Sequence, residues 1–256
     1  GTGCQRIACM SQRPQEHPLR VHLEELRRRL FIAALAVAIG TVIAFVFHRE
    51  VIQFLIRPAT KTGTPLIFTE LTEMLGVSMK VSLMGGLILA LPVVAYELVM
   101  FVSPGLTLRE RRYVYLFLPG ITIAFISGVA FGYFVLIPQG MGFLLTFNAD
   151  IAQPMPRIGN YIGLMLTLLF WMGVVFEIPI FMFVLARLRV VSYKRFARWR
   201  RFAIVLAFLL GAVITPTFDP VNQSLVAVPI VLLYEIGIWL AWLARPRTKA
   251  PTSDAP

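Results

Sequence analysis

Six apolar runs separated by short polar segments set the rhythm of this chain: Leu30 to Phe47, Met74 to Val102, Tyr113 to Ile137, Tyr161 to Leu188, Phe202 to Ile214 and Ser224 to Leu243. At about 1.5 Å of rise per helical residue, roughly 20 residues cross the hydrocarbon of a bilayer, so the pattern predicts six transmembrane helices. Polar residues do not recur at every second position, which excludes a barrel and leaves an all-α, polytopic membrane bundle. The last two runs are anomalous. Ala203 to Ile214 supplies about 18 Å of helix against roughly 30 Å of hydrocarbon, and both final helices are expected to be short. The connector Thr215 to Gln223, TPTFDPVNQ, is then recessed below the bilayer surface, where polar backbone must be covered by protein or wetted. A concave bowl with thinned lipid around it is the expected shape.

Composition agrees with this class. With 58% hydrophobic and 14% charged residues and a mean hydropathy of +0.78, the chain has too little polar surface for a soluble globule of its length. A net charge of +11 would point to nucleic acid in a soluble protein, but here the cations sit at the ends of the apolar runs, and no nucleic-acid partner is expected. Arg27, Arg28 and Arg29 precede the first run, Arg109, Arg111 and Arg112 follow the second, and a cluster from Arg187 to Arg201 follows the fourth. Gathering these on one face places most of the 24 Lys and Arg residues there and leaves Arg49, Arg57, Lys61 and Arg157 opposite. That bias predicts that both termini are cytoplasmic. Residues 1–20 and 246–256 read as disordered tails around a transmembrane domain at 21–245. Cys4 and Cys9 lie upstream of Met10, a candidate start, so no disulfide or metal argument rests on them. No cleavable signal pattern precedes the first run.

The segment from His48 to Glu73 is too long for a plain loop. Val51 to Ile56 suits a short amphipathic turn stopped by Pro58, and the whole reads first as a packed cap and second as a partner-binding lip. Pro138 to Asn160 reads as a smaller cap.

Ionisable residues inside the apolar runs each cost about 2.5 to 3.5 kcal/mol at a helix centre, so each needs a reason. Glu177, in FEIP, lies deep in its run, and Pro179 removes a backbone donor beside it and can kink the helix open. Two readings stand for Glu177: a polar spot that engages a partner helix, and a protonated carboxyl that pins the bundle. Structural roles lead for Glu97, which is near enough to the rim to snorkel, for Glu235, which can pair with a neighbour, and for Lys80, which can reach the interface or Glu73.

On the cationic rim, Glu24 and Glu25 precede Arg27, and Glu110 stands among arginines in SPGLTLRERR. A lone Glu among arginines is usually a weak surface ion pair. A ligand bringing two guanidinium groups, however, needs two planar carboxylates for bidentate pairing, and Glu25 with Glu110 is the available pair.

These segments resemble the TatC family, the receptor subunit of the twin-arginine protein translocase. The likeness runs from Val21 to Arg245 and rests on HLEELRRRL at His22 to Leu30, FVSPGLTLRERR at Phe101 to Arg112, FEIPI at Phe176 to Ile180, TPTFDPVNQ at Thr215 to Gln223 and YEIG at Tyr234 to Gly237. It implies a multi-pass protein of the bacterial plasma membrane that binds twin-arginine signal peptides of folded cargo at its cytoplasmic face. It further implies TatA- or TatB-type single-span partners, a larger complex with more than one copy of the chain, transport driven by the proton-motive force, and no cofactor. Carried over by motif, Glu25 and Glu110 contact the signal arginines, while Arg27, Arg29 and Phe101 shape the same site. Glu177, with Pro179 and Gln223, forms the polar spot that faces a partner helix. Asp219 lies in the outer connector beside Gln223, and Pro58 matches a functionally sensitive proline of the first outer loop.

An intramembrane enzyme is disfavoured, because His17, His22 and His48 all lie outside the runs and no HExxH or paired intramembrane Asp is present. A small-solute secondary transporter is the alternative, although no repeat relates the first three runs to the last three.

Overall fold

An apolar run in lipid must close its backbone hydrogen bonds within itself, and the described residues are helical almost throughout. The computed structural model describes residues 18–61, 65–102, 108–146, 155–188, 190–215 and 219–244, and most of the two expected tails falls outside them. In chain order these are α1 (Pro18–Val46), α2 (His48–Lys61), α3 (Glu73–Val102), α4 (Leu108–Phe131), a π-helical turn (Gly132–Leu136), α5 (Ile137–Thr146), α6 (Ile158–Phe176), α7 (Ile178–Arg187), α8 (Tyr193–Arg198), α9 (Arg200–Ile214) and α10 (Pro220–Leu243). Among the described residues, five segments are long and apolar enough to cross a membrane: Leu23–Val46, Glu73–Leu98, Leu118–Leu144, Ile158–Arg187 and Pro220–Leu243.

Only one of the two final helices is short. α9 has 15 residues, about 22 Å, whereas α10 has 24, about 36 Å, which is enough to cross. The expectation of a stunted last helix is corrected for a local reason. Asp219 caps α10 by accepting the Asn222 N–H at 2.8 Å, and Pro220 suits the first turn, so the helix begins at Pro220 instead of Ser224. Gln223 therefore belongs to the first turn of α10 and not to the connector.

Pro58 does not stop α2, which runs on to Lys61. Proline has no N–H to offer the carbonyl of Phe54, and its ring crowds that oxygen. The Tyr133 hydroxyl, from the π-helical turn, donates to Phe54 O at 2.7 Å, and the Tyr161 hydroxyl donates to Leu55 O at 3.3 Å. Side chains from elsewhere in the bundle thus let the helix continue. The fourth apolar run, in contrast, does break: Glu177 ends α6 and begins α7, and Pro179 in the first turn of α7 leaves Val175 O without its helical donor.

The helices pack as an open row. α1 lies along α3, α3 against α4 and α6, α4 against α6, α7 against α10, and α10 against α9. α1 and α9 are the row's free edges. The α1–α3 contact is backbone-close: a Cβ at Gly40 would stand 2.6 Å from Gly86 O, and one at Gly86 would run into the backbone of Thr41. Small residues that let helices touch along the main chain are the usual means of association where lipid removes the hydrophobic drive. One core gathers α2, the π-helical turn, α5 and α6 around Tyr133, Ile137, Tyr161 and Met165, and a second joins α6, α9 and α10 around Met172 and Ala227.

The expected cap is packed where it is described. Ile67 and Arg157 form a parallel bridge, with Ile67 N–H donating to Pro156 O at 3.2 Å and Ile158 N–H to Ile67 O at 2.9 Å. The Glu73 carboxylate accepts from Thr69 N–H at 3.0 Å, Gly159 N–H at 2.9 Å and Arg157 at 3.3 Å. Arg157 also holds Glu70 at 2.9 Å, and these two partners raise its pKa above the usual arginine value.

Candidate functional site

The first turns of α1 bring Glu25 and Arg29 onto one face, since residues four apart on a helix are neighbours. Glu25 Oε1 accepts from Arg29 Nη2 at 2.6 Å and from Nε at 3.1 Å. The remaining arm, Nη1, donates to Glu97 Oε2 at 3.1 Å, which ties α1 to the far end of α3. One guanidinium is thereby held between two carboxylates from different helices. The three side chains are 18% (Arg29), 31% (Glu25) and 12% (Glu97) exposed, so the pairing is partly desolvated and stronger than a surface ion pair.

These residues line a cleft of about 1180 Å³ together with Glu24, Arg27 and Tyr96. Phe101 lies one turn beyond Glu97 on α3 and is half-buried. Three of the motif-derived residues, Glu25, Arg27 and Arg29, are therefore brought together at one end of the bundle. Glu110 lies in the first turn of α4, but its side chain lies outside the described residues. The sequence reading missed Glu97 as a member of this site. Its spacing of four from Phe101 was the available signal.

Glu177 sits in the junction between α6 and α7, and its buried Oε1 meets no hydrogen-bond donor among the described residues. The carboxyl is not without an internal partner, since the Phe125 backbone on α4 hydrogen-bonds to it, so the partner-helix and the pinning readings of Glu177 both remain. Pro179 is buried against α10, where a Cβ at Gly237 would lie 3.3 Å from its Cα, so the glycine of YEIG is a packing residue. Gln223 is not joined to Glu177. Its Nε2 donates to Phe208 O at 2.9 Å and stitches the start of α10 to α9. Asp219 is taken up by capping.

Of the two other ionisable residues read as structural, one is paired. Glu235 pairs with Arg200 through both oxygens, at 2.6 and 2.8 Å. Lys80 does not pair with Glu73, whose oxygens are held by the cap, and lines a lipid-side groove between α3 and α6. No group of three or more His, Cys, Asp or Glu residues is disposed to hold a metal ion among the described residues.

Comparison with known proteins is specific. Residues 21–229 match the family model described as Sec-independent protein translocase protein (TatC). The Sec-independent protein translocase protein TatC of Carboxydothermus hydrogenoformans is 35% identical over 226 residues, covering 88% of this chain and 93% of that relative. The TatC of Aquifex aeolicus is 39% identical over 236 residues, covering 91% of this chain and 98% of that relative. A crystal structure of the twin-arginine translocase receptor TatC matches with a TM-score of 0.79 at 39% identity, covering 87% of this chain and 99% of that one.

Proposed function

The chain belongs to the TatC family of Sec-independent protein translocase proteins, and we propose that Glu25, held by Arg29, and Glu110 form the dock for the arginine pair of a signal peptide. It is a membrane component of twin-arginine protein translocation and not an enzyme. The small-solute carrier reading finds no support in this membership.

The observation that carries the proposal is the guanidinium held between Glu25 and Glu97. A site that already binds one guanidinium through charge-assisted hydrogen bonds has the chemistry to bind another, and it favours Arg over Lys because of the fork of donors. Glu25 and Glu110 take the two signal arginines, with Arg27, Arg29 and Phe101 shaping the surroundings. The arginine-rich end of the bundle is the cytoplasmic end, with both termini inside a bacterial plasma membrane, as the charge bias supports. Glu177, at the break between α6 and α7, receives a polar group from a TatA- or TatB-type single-span helix. Pro179 keeps that break open, whereas Gln223 and Asp219 fix the α9–α10 corner about 20 Å farther along α10. Pro58 shapes the opposite cap. An open row of this size encloses no passage for a folded protein, so further copies and single-span partners build it, and the proton-motive force drives it.

The test is capture of a photoreactive peptide by the full chain in membranes. An Arg-Arg peptide is captured and its Lys-Lys counterpart is not. Glu25→Gln and Glu110→Gln each reduce Arg-Arg capture at least tenfold, the loss of one charge-assisted pair. Undiminished capture by both variants removes these carboxylates as the anchor.

A further inference from the structure

An apolar trough of about 290 Å³ runs beneath α2, between Leu55, Val81 and Ile88 on one side and Ile126, Val129 and Leu169 on the other. Tyr133, the hydroxyl-bearing residue of its wall, has that hydroxyl engaged by Phe54 O. At the α2 end the trough continues into a second hollow of about 410 Å³, where the shared walls Phe54, Tyr133 and Phe134 are joined by Arg57. From Ile126 to Phe134 the wall rises about 12 Å, close to the roughly 15 Å depth of one leaflet's hydrocarbon.

The charge at the mouth selects the occupant. The Arg57 guanidinium lies 5.6 Å from the Phe54 ring centroid, is exposed, and has no carboxylate within 4 Å among the described residues. Arg157, in the cap at the same end of the bundle, is in contrast held by Glu70 and Glu73. α2 itself is amphipathic: Ile52, Leu55 and Ala59 are buried against the bundle, while Arg49, Gln53 and Arg57 form an exposed stripe at helical spacing. A helix of this kind lies in the interface and attracts anionic headgroups.

We propose that the trough and Arg57 together form a binding site for one anionic phospholipid, its acyl chain along α3 and α4 and its phosphodiester on the Arg57 guanidinium. A zwitterionic lipid brings the same chain with a headgroup that carries no net charge, so the difference between the two reports Arg57. A free phosphate brings no chain and leaves the trough empty.

Photo-crosslinking of the full chain in vesicles tests this, with phosphatidylglycerol and phosphatidylcholine probes that carry a diazirine in the acyl chain. The phosphatidylglycerol probe is expected to label Val81 to Ile88 and Ile126 to Phe134. Unlabelled phosphatidylglycerol competes for this labelling about fivefold better than phosphatidylcholine. Glycerol 3-phosphate does not compete. Arg57→Gln abolishes the preference and Arg57→Lys retains it. Equal labelling by the two probes in the unmodified chain overturns the proposal without recourse to any variant. So does a preference that survives Arg57→Gln, or competition by glycerol 3-phosphate. Absence of lipid label together with chain-to-chain crosslinks through the trough assigns it instead to a protein helix and overturns the proposal.

Discussion

Tyr133 donates its hydroxyl to Phe54 O at 2.7 Å across 79 residues of chain, and that carbonyl is available because Pro58 cannot supply the helical N–H. Tyr133→Phe leaves a carbonyl next to a proline ring with no donor, and a stability loss of about 1 to 3 kcal/mol is expected. Pro58→Ala restores the helical donor, so Tyr133→Phe costs less in that background. Thermal unfolding of the two single variants and the double variant measures this non-additivity. Equal cost in both backgrounds removes the link.

The α1–α3 crossing predicts opposite outcomes for two glycines of one helix. Gly86→Ala drives a methyl into the Thr41 backbone and forces the helices apart, a loss of about 1 to 3 kcal/mol. Gly76→Ala, with nothing within 4 Å, is neutral or stabilising by about 0.5 to 1 kcal/mol, because glycine is the weaker helix former. Melting of the purified protein in detergent distinguishes the pair.

Glu97 is expected to matter for peptide capture although it lies outside the Glu25–Glu110 pair. Glu97→Gln frees one arm of Arg29, lets that guanidinium turn wholly to Glu25, and so lowers Arg-Arg capture about tenfold. In a Glu25→Gln background the same change has a smaller effect, since Arg29 no longer competes there. Additive losses argue against a shared guanidinium.

Glu177 presents a buried oxygen without a donor, and its variant reads a different step. Glu177→Ala is expected to weaken co-purification of a single-span partner while Arg-Arg capture stays at the unmodified level. Glu177→Gln, which still offers a polar group, retains more of the partner than Ala. If partner recovery is the same in all three proteins, Glu177 only pins the bundle.

Much of the architecture was legible in the chain because apolar length and charge position are local signals. The helical class, the break at Glu177 and the cap around Glu73 follow from such patterns. The start of α10 was legible too, in the Asp219-Pro220 pair, but a count of apolar residues alone passes over a cap and a first turn made of polar residues. Pro58 misled for the opposite reason. What rescues the helix beyond it is a hydroxyl from another part of the chain, and no local rule reports it. Glu97 was read by its distance to the rim, whereas its role comes from Arg29 on another helix. The pairing of Glu25 with Glu110 stays a matter for the peptide experiment, the Glu110 side chain lying outside the described residues.

Arg29 and Glu97 are 68 residues apart. A ribosome adding about 5 to 20 residues per second delivers the second about 3 to 14 seconds after the first. Until α3 has been threaded through the bilayer, the leading helix offers an arginine whose distal clamp has not yet been made. The clamp on this guanidinium can therefore close from both sides only after the opening portion of the chain has finished its own insertion.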